Sequence, residues 1–116
     1  MMKQIESEAA YQTLVEQSAT TPVFLFKHST RCGISANARR QVEQFLAASP
    51  DVPCWEVLVI EQRPLSQAIA AASGVVHTSP QIILFHHGAA VWNTSHFDIT
   101  AKAMQAALEK VGADAE

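Results

Sequence analysis

A run of five apolar residues, Pro22-Val23-Phe24-Leu25-Phe26, constrains the fold of this chain more than any other feature. A strand covered on one face alternates apolar and polar side chains, whereas an unbroken apolar run needs cover on both faces. The residues that follow supply part of that cover. Ile34, Ala38, Val42, Phe45 and Leu46 recur at helical spacing and form one buried stripe. Ser49-Pro50-Asp51 stops that helix, and a second strand is expected over residues 55–60 after Pro53-Cys54. A strand–helix–strand unit implies two parallel strands joined by a right-handed crossover.

The flanking segments complete the plan. Residues 5–18 read as a helix, with Tyr11, Leu14 and Val15 at helical spacing. Pro64 suits the first turn of a helix that turns Leu65, Ala68, Ile69 and Ala72 to one side, and Gly74 ends it. Gln81-Ile82-Ile83-Leu84-Phe85, then His86-His87-Gly88, then Ala89-Ala90-Val91-Trp92 read as strand, tight turn and strand. Thr100 is placed to cap a last helix whose buried stripe is Met104, Ala107, Leu108 and Val111, with Ile99 and Met104 as its hydrophobic staple. The hairpin must add antiparallel strands to the parallel pair. The expected fold is α/β: one domain over residues 1–116, three layers, a mixed four-stranded sheet and helices on both faces. With a cysteine just past the first core strand, that plan is the thioredoxin arrangement.

Composition removes several functions. With 116 residues the chain can bury about two-thirds of its unfolded surface, so no disulfide staple is needed. A net charge of −3, with Lys and Arg scattered apart from Arg39-Arg40, leaves no electrostatic footprint for nucleic acid. No apolar run is long enough to span a bilayer, and residues 1–10 lack the apolar centre of a signal peptide. The expected location is the cytoplasm, where thiols are kept reduced.

Cys32 is the residue most suited to chemistry. It stands at the junction of the first core strand and the helix beginning near Ile34. The first N–H groups of a helix have no intrahelical partner, and together with the helix dipole they favour a thiolate over a thiol. Arg31 adds a positive charge beside it. A free cysteine is usually a buried core residue, but Ser29, Thr30 and Arg31 are poor company for a core position. Ser35, one helical turn on, stands where a dithiol oxidoreductase has its second cysteine. Its hydroxyl can donate to a thiolate but cannot attack a mixed disulfide, although completing the first helical turn is an equally adequate role. The other thiol, Cys54, precedes the start of the parallel neighbour strand, about one strand length of 17–20 Å from Cys32. A disulfide needs Cα atoms within about 7 Å, so Cys54 is read as structural.

Pro80, after Ser79, precedes the third core strand. Sequence alone favours a trans bond there, whereas the thioredoxin arrangement favours a cis proline beside the cysteine, with the Ser79 backbone open to an extended substrate. Of the five histidines, His28 stands at the mouth of the cysteine loop and His77 three residues before Pro80, where either can tune the thiolate. His86 and His87 make a poor chelating pair, because neighbouring strand residues point to opposite faces. No Cys/His spacing resembles a zinc site, and neither a metal nor a bound cofactor is expected. Trp92 reads as hairpin packing.

Three pieces of sequence carry a resemblance: Phe26-Lys27-His28-Ser29-Thr30-Arg31-Cys32 with Ile34-Ser35; His77-Thr78-Ser79-Pro80-Gln81; and Trp92 with Ser95-His96 and Ile99-Thr100. Over nearly its whole length the chain resembles the bacilliredoxins, in particular the monothiol branch long labelled general stress proteins. The resemblance implies a thioredoxin-like fold and action on S-bacillithiolated proteins. Bacillithiol, a cysteine-glucosamine-malate thiol, would be the co-substrate. It makes Cys32 the attacking cysteine, with Arg31, Gly33 and Ser35 about its thiolate and Thr30, His77, Ser79 and Pro80 at the substrate. Gly33 departs from the family, which usually has proline there.

Two other functions fit parts of the same sequence. Gly33 brings the motif close to the Cys-Gly-Phe-Ser of monothiol glutaredoxins, which ligate iron–sulfur clusters. Those proteins follow their proline strand with a paired-glycine motif, and here the corresponding stretch is His86-His87-Gly88-Ala89-Ala90. The third is a non-catalytic thioredoxin-fold redox sensor or adaptor modified at Cys32, since fold alone does not settle function.

Overall fold

The computed structural model describes residues 2–114. The elements in chain order are β1 (Lys3–Gln4), α1 (Glu8–Gln17), β2 (Val23–His28), α2 (Gly33–Ala48), β3 (Cys54–Leu58), α3 (Arg63–Ser73), β4 (Gln81–His86), β5 (Ala89–Ser95), a short 3-10 turn (His96–Asp98) and α4 (Ala101–Asp114). The sheet order is β1-β3-β2-β4-β5. β2 and β3 are parallel, as the strand–helix–strand reading requires, and β4 and β5 add to β2 antiparallel.

The sheet has five strands rather than the expected four. Lys3 and Gln4 pair in parallel with Trp55 and Glu56 at the β3 edge, and the Ile5 N–H donates to the Glu56 carbonyl at 2.8 Å. Two exposed polar residues carry no alternating pattern, so the sequence could not announce this strand. Its anchor is Ile5, which is completely buried and closes the strand segment instead of starting a helix. The helix begins at Glu8, where the Ser7 side chain accepts from the Ala10 N–H at 3.1 Å.

The sheet divides the interior into two layers. Phe24, Phe26, Ile82 and Leu84 face α2 and α4, where they meet Val42, Phe45, Met104 and Ala107. Val23, Leu25, Ile83 and Phe85 face the other way, onto Tyr11 and Leu14 of α1 and Leu65 and Ile69 of α3. This is why the β2 run is apolar without interruption: successive side chains point into different layers. Trp92 packs edge-on to Phe24, ring centroids 6.4 Å apart. The Thr100 hydroxyl caps α4 by accepting from the Ala103 N–H at 3.0 Å, and Ile99 and Met104 are both buried beneath it. Gly74 ends α3 in the left-handed region at φ 76°, which glycine adopts without steric cost.

Candidate functional site

β2 does not turn polar by leaving the interior. Its last two residues, Lys27 and His28, remain buried, one on each face of the sheet. His28 continues the Phe24–Phe26 side and stacks on Phe26, ring centroids 5.3 Å apart. Burial holds its imidazole pKa below the ordinary histidine value, against the opposing pull of Glu56. The His28 Nδ1 lies 2.7 Å from Ser35 Oγ, and the Ser29 N–H donates to that oxygen at 2.9 Å. With a neutral His28 protonated on Nε2, the Ser35 hydroxyl donates to Nδ1 and accepts from Ser29, so all three groups are satisfied.

That bonding shapes the loop that carries Cys32. The Cys32 N–H donates to the Ser29 carbonyl at 3.4 Å, closing a tight turn, and the Ala36 N–H donates to the Cys32 carbonyl at 3.0 Å, opening α2. Cys32 is therefore the N-cap residue, in extended conformation (φ −119°, ψ 125°), and its side chain is not used as a cap. The residue is half-buried at the N-terminus of a 16-residue helix. Thr30, Arg31 and Gly33 are exposed around it. A Cβ placed on Gly33 meets nothing within 4 Å. Spacing directs the Ser35 hydroxyl towards the sulfur; in the structure it is bonded to His28 and Ser29.

The Ser79–Pro80 peptide is cis, as the fold context favoured. Gln81, next in the chain, sits opposite Lys27 in the sheet, so Pro80 lies at the same end of the sheet as the Cys32 loop. The Pro80 carbonyl accepts from the His96 N–H at 3.1 Å, which brings the segment after β5 to the same edge. Val76 and Phe97, 85% and 69% exposed, are large apolar side chains turned to solvent on the two segments flanking Pro80.

The second thiol is elsewhere. Cys54 pairs with Phe24 at the start of the parallel strands, whereas Cys32 lies beyond their far end at His28. Four residues at about 3.3 Å each put about 13 Å between those levels before the loop is counted. Cys54 is 4% exposed, and burial pushes its thiol pKa far up, with the nearby Glu56 adding to the shift. His86 and His87 are also remote, at the β4–β5 turn, where the His87 backbone N–H donates to the Ser18 carbonyl at 2.7 Å. Their rings do not point to opposite faces as strand alternation suggested but lie with centroids 3.8 Å apart, because His87 takes the left-handed turn conformation at φ 55°. Among the described residues, no group of three His, Cys, Asp or Glu could hold a metal ion, and no helix is long and apolar enough to cross a membrane.

Sequence reasoning placed His77 near the site but missed what it touches. Its Nδ1 lies 3.1 Å from Lys27 Nζ and 3.2 Å from Ser66 Oγ, on the α3 side of the sheet. Reasoning from sequence also missed Glu56, 2% exposed, which Arg39 of α2 grips at 2.9 Å and Gln4 of β1 also contacts. The available signal was the strand register: a polar residue in mid-strand between buried neighbours needs a partner.

Comparison with known proteins agrees with this arrangement. Oxidised mitochondrial thioredoxin 3 of Saccharomyces cerevisiae superposes with a TM-score of 0.73 at 16% identity, over 94% of each chain. Fasciola hepatica thioredoxin does so at 0.74 and 18%, over 94% of this chain and 98% of that one. Both show the fold. A solved protein described as a candidate oxidoreductase with a thioredoxin fold is 35% identical, with a TM-score of 0.84 over 91% of this chain and 92% of its own. The family described as "Monothiol bacilliredoxin BrxC" matches residues 3–104, which include Cys32, Ser35 and the Ser79–Pro80 bond. On these grounds the chain belongs to the monothiol bacilliredoxin family, a thioredoxin-fold family of oxidoreductases.

Proposed function

We propose that this protein is a monothiol thiol–disulfide oxidoreductase that removes bacillithiol from S-bacillithiolated proteins in the cytoplasm. The observation that carries the reading is the separation of its two thiols. Cys32 is half-buried at a helix start, and Cys54 is sealed at the opposite end of the sheet. A site of this kind has an attacking sulfur and no resolving sulfur of its own.

In the reaction, the Cys32 thiolate attacks the bacillithiol sulfur of the mixed disulfide. The sulfur–sulfur bond to the target breaks, and the target leaves as a thiolate that takes a proton. A second bacillithiol, as thiolate, then attacks the bacillithiol sulfur held on Cys32. Bacillithiol disulfide leaves and Cys32 is restored. Cys32 reacts as the thiolate in both steps from the N-cap position of α2, with Arg31 its neighbour in the chain. Ser35 holds the loop through His28 and Ser29. An extended target would run along the Ser79 backbone and Thr30, and the exposure of Val76 and Phe97 supports apolar contact with it.

The test is a bacillithiolated substrate protein incubated with bacillithiol and each variant. Wild type and Cys54→Ala are expected to release the target thiol, and Cys32→Ser is not. If stoichiometric wild type releases it no faster than free bacillithiol does, catalysis is excluded and modification of Cys32 as a sensor becomes the better account.

A further inference from the structure

On the α3 side of the sheet lies a polar cluster that the thiol exchange leaves unused. Lys27 is completely buried. Its ammonium donates to the Ser66 carbonyl at 3.3 Å and to His77 Nδ1 at 3.1 Å. Both partners are neutral acceptors, and among the described residues no carboxylate is bonded to it. A buried charge is expensive unless an opposite charge compensates it. Burial accordingly lowers the Lys27 pKa from 10.5 to about 8. Most of the ammonium is still charged at neutral pH, so the site carries an unbalanced positive charge.

Directly over this cluster opens a recess of about 240 Å³, lined by Val59, Ile60, Arg63, Ser66, Gln67 and His77. Its walls present a guanidinium, an amide, a hydroxyl and an imidazole, and no carboxylate. Glu61, the nearest acidic residue in sequence, is exposed and does not line it. Lys27 and Arg63 both act electrostatically on His77, which places two cations about one small cavity. Arg63 and Gln67 are exposed, so the mouth is open to solvent. One wall adjoins the reactive edge: the Val59 N–H donates to the His28 carbonyl at 3.0 Å, and His77 stands on the loop that leads to Pro80.

We propose that this recess is the carboxylate subsite for the small thiol, taking the malate end of bacillithiol while its cysteine end faces Cys32. The assignment rests on reading bacillithiol as the co-substrate. Arg63 suits a two-pronged grip on a carboxylate, and Gln67, Ser66 and the outer nitrogen of His77 supply neutral donors. Lys27, behind them, contributes charge without contact. An anion in the recess supplies the counter-charge that the fold omits.

The experiment titrates the reduced protein with malate alone, at constant ionic strength, while following the ring protons of His77 by NMR. Malamide, the neutral analogue, and inorganic sulfate are titrated in parallel. Saturable shifts are expected with malate, several-fold weaker ones with sulfate and none with malamide. Arg63→Glu, at an exposed position that opens α3, is expected to abolish the malate response and raise the KM for bacillithiol about tenfold. Lys27→Met is expected to weaken malate binding several-fold. Absence of any malate shift, or equal responses to malate and sulfate, overturns the subsite even if wild type proves an active debacillithiolating enzyme. A malate response lost in Arg63→Glu, in a protein inactive on bacillithiolated substrates, instead upholds the carboxylate subsite and overturns the reaction proposed above.

Discussion

His28 and Ser35 are joined Nδ1 to Oγ at 2.7 Å, and this contact ties the end of β2 to the first turn of α2 across the loop that holds Cys32. Both side chains are buried. Ser35→Ala therefore leaves His28 Nδ1 and the Ser29 N–H without a partner in the interior. The expected cost is about 1–3 kcal/mol in denaturant unfolding, together with slower exchange at Cys32 as the loop loosens. Chemical denaturation and thiol-trapping rates measure the two effects.

Gly33→Pro is expected to stabilise the protein by about 0.4–1 kcal/mol through the unfolded state. The site meets the requirements of proline. It is the first residue of α2, with open space around its Cβ direction, and the first helical N–H is unpartnered in any case. Cys32 before it already has the extended conformation that a following proline demands (φ −119°, ψ 125°). Thermal unfolding of the two proteins side by side checks this.

Lys27 makes stability depend on pH in the alkaline range. Its pKa is about 8 folded against 10.5 unfolded, so between those values the unfolded chain holds more protons. Stability conferred by this residue is therefore fully present above about pH 10.5 and is lost as the pH falls through about 8. Relative to Lys27→Met, wild type should gain on the order of 3 kcal/mol across that window. Urea midpoints measured from pH 7 to 10.5 test the slope, and parallel curves for the two proteins would refute it.

Cys54→Ala is expected to leave exchange at Cys32 within about twofold of wild type while costing about 1 kcal/mol, the price of a small cavity between β3 and α2. A well-folded variant that loses most of its activity would contradict the strand-end geometry.

Phe97→Ser should raise the KM for a bacillithiolated protein several-fold while leaving a small bacillithiol mixed disulfide unaffected. Phe97 is 69% exposed on the segment beside Pro80, so the substitution removes target contact without opening the core. Equal effects on large and small substrates would remove it from the docking surface.

The fold was legible wherever a segment carried its own pattern. Pro22 to Phe26, the α2 stripe, the Gly74 stop and the Thr100 cap each name an element through local chemistry. β1 was hidden because two polar edge residues have no period to read. The position of Cys32 was legible for the same reason, being fixed by the strand before it and the helix after it. The partner of Ser35 was not, because it depends on His28 keeping the inward face of β2 past the last apolar residue. The Lys27–His77–Ser66 cluster was hidden for a related reason. It joins three segments far apart in sequence, and a lysine at the end of a strand ordinarily marks the way out to solvent.

The distance between Cys32 and Cys54 also sets the mass action of the site. A dithiol that closes its own ring exchanges two small thiols for one small disulfide, so its oxidised fraction changes when the thiol pool is diluted at constant ratio. In the reaction proposed above, Cys32, with Cys54 out of reach, exchanges one small molecule for one small molecule. Its oxidised fraction at equilibrium then follows the ratio of disulfide to thiol and is indifferent to their total amount. By that exchange, doubling or diluting the thiol pool at a fixed ratio would leave the occupancy of this sulfur unchanged.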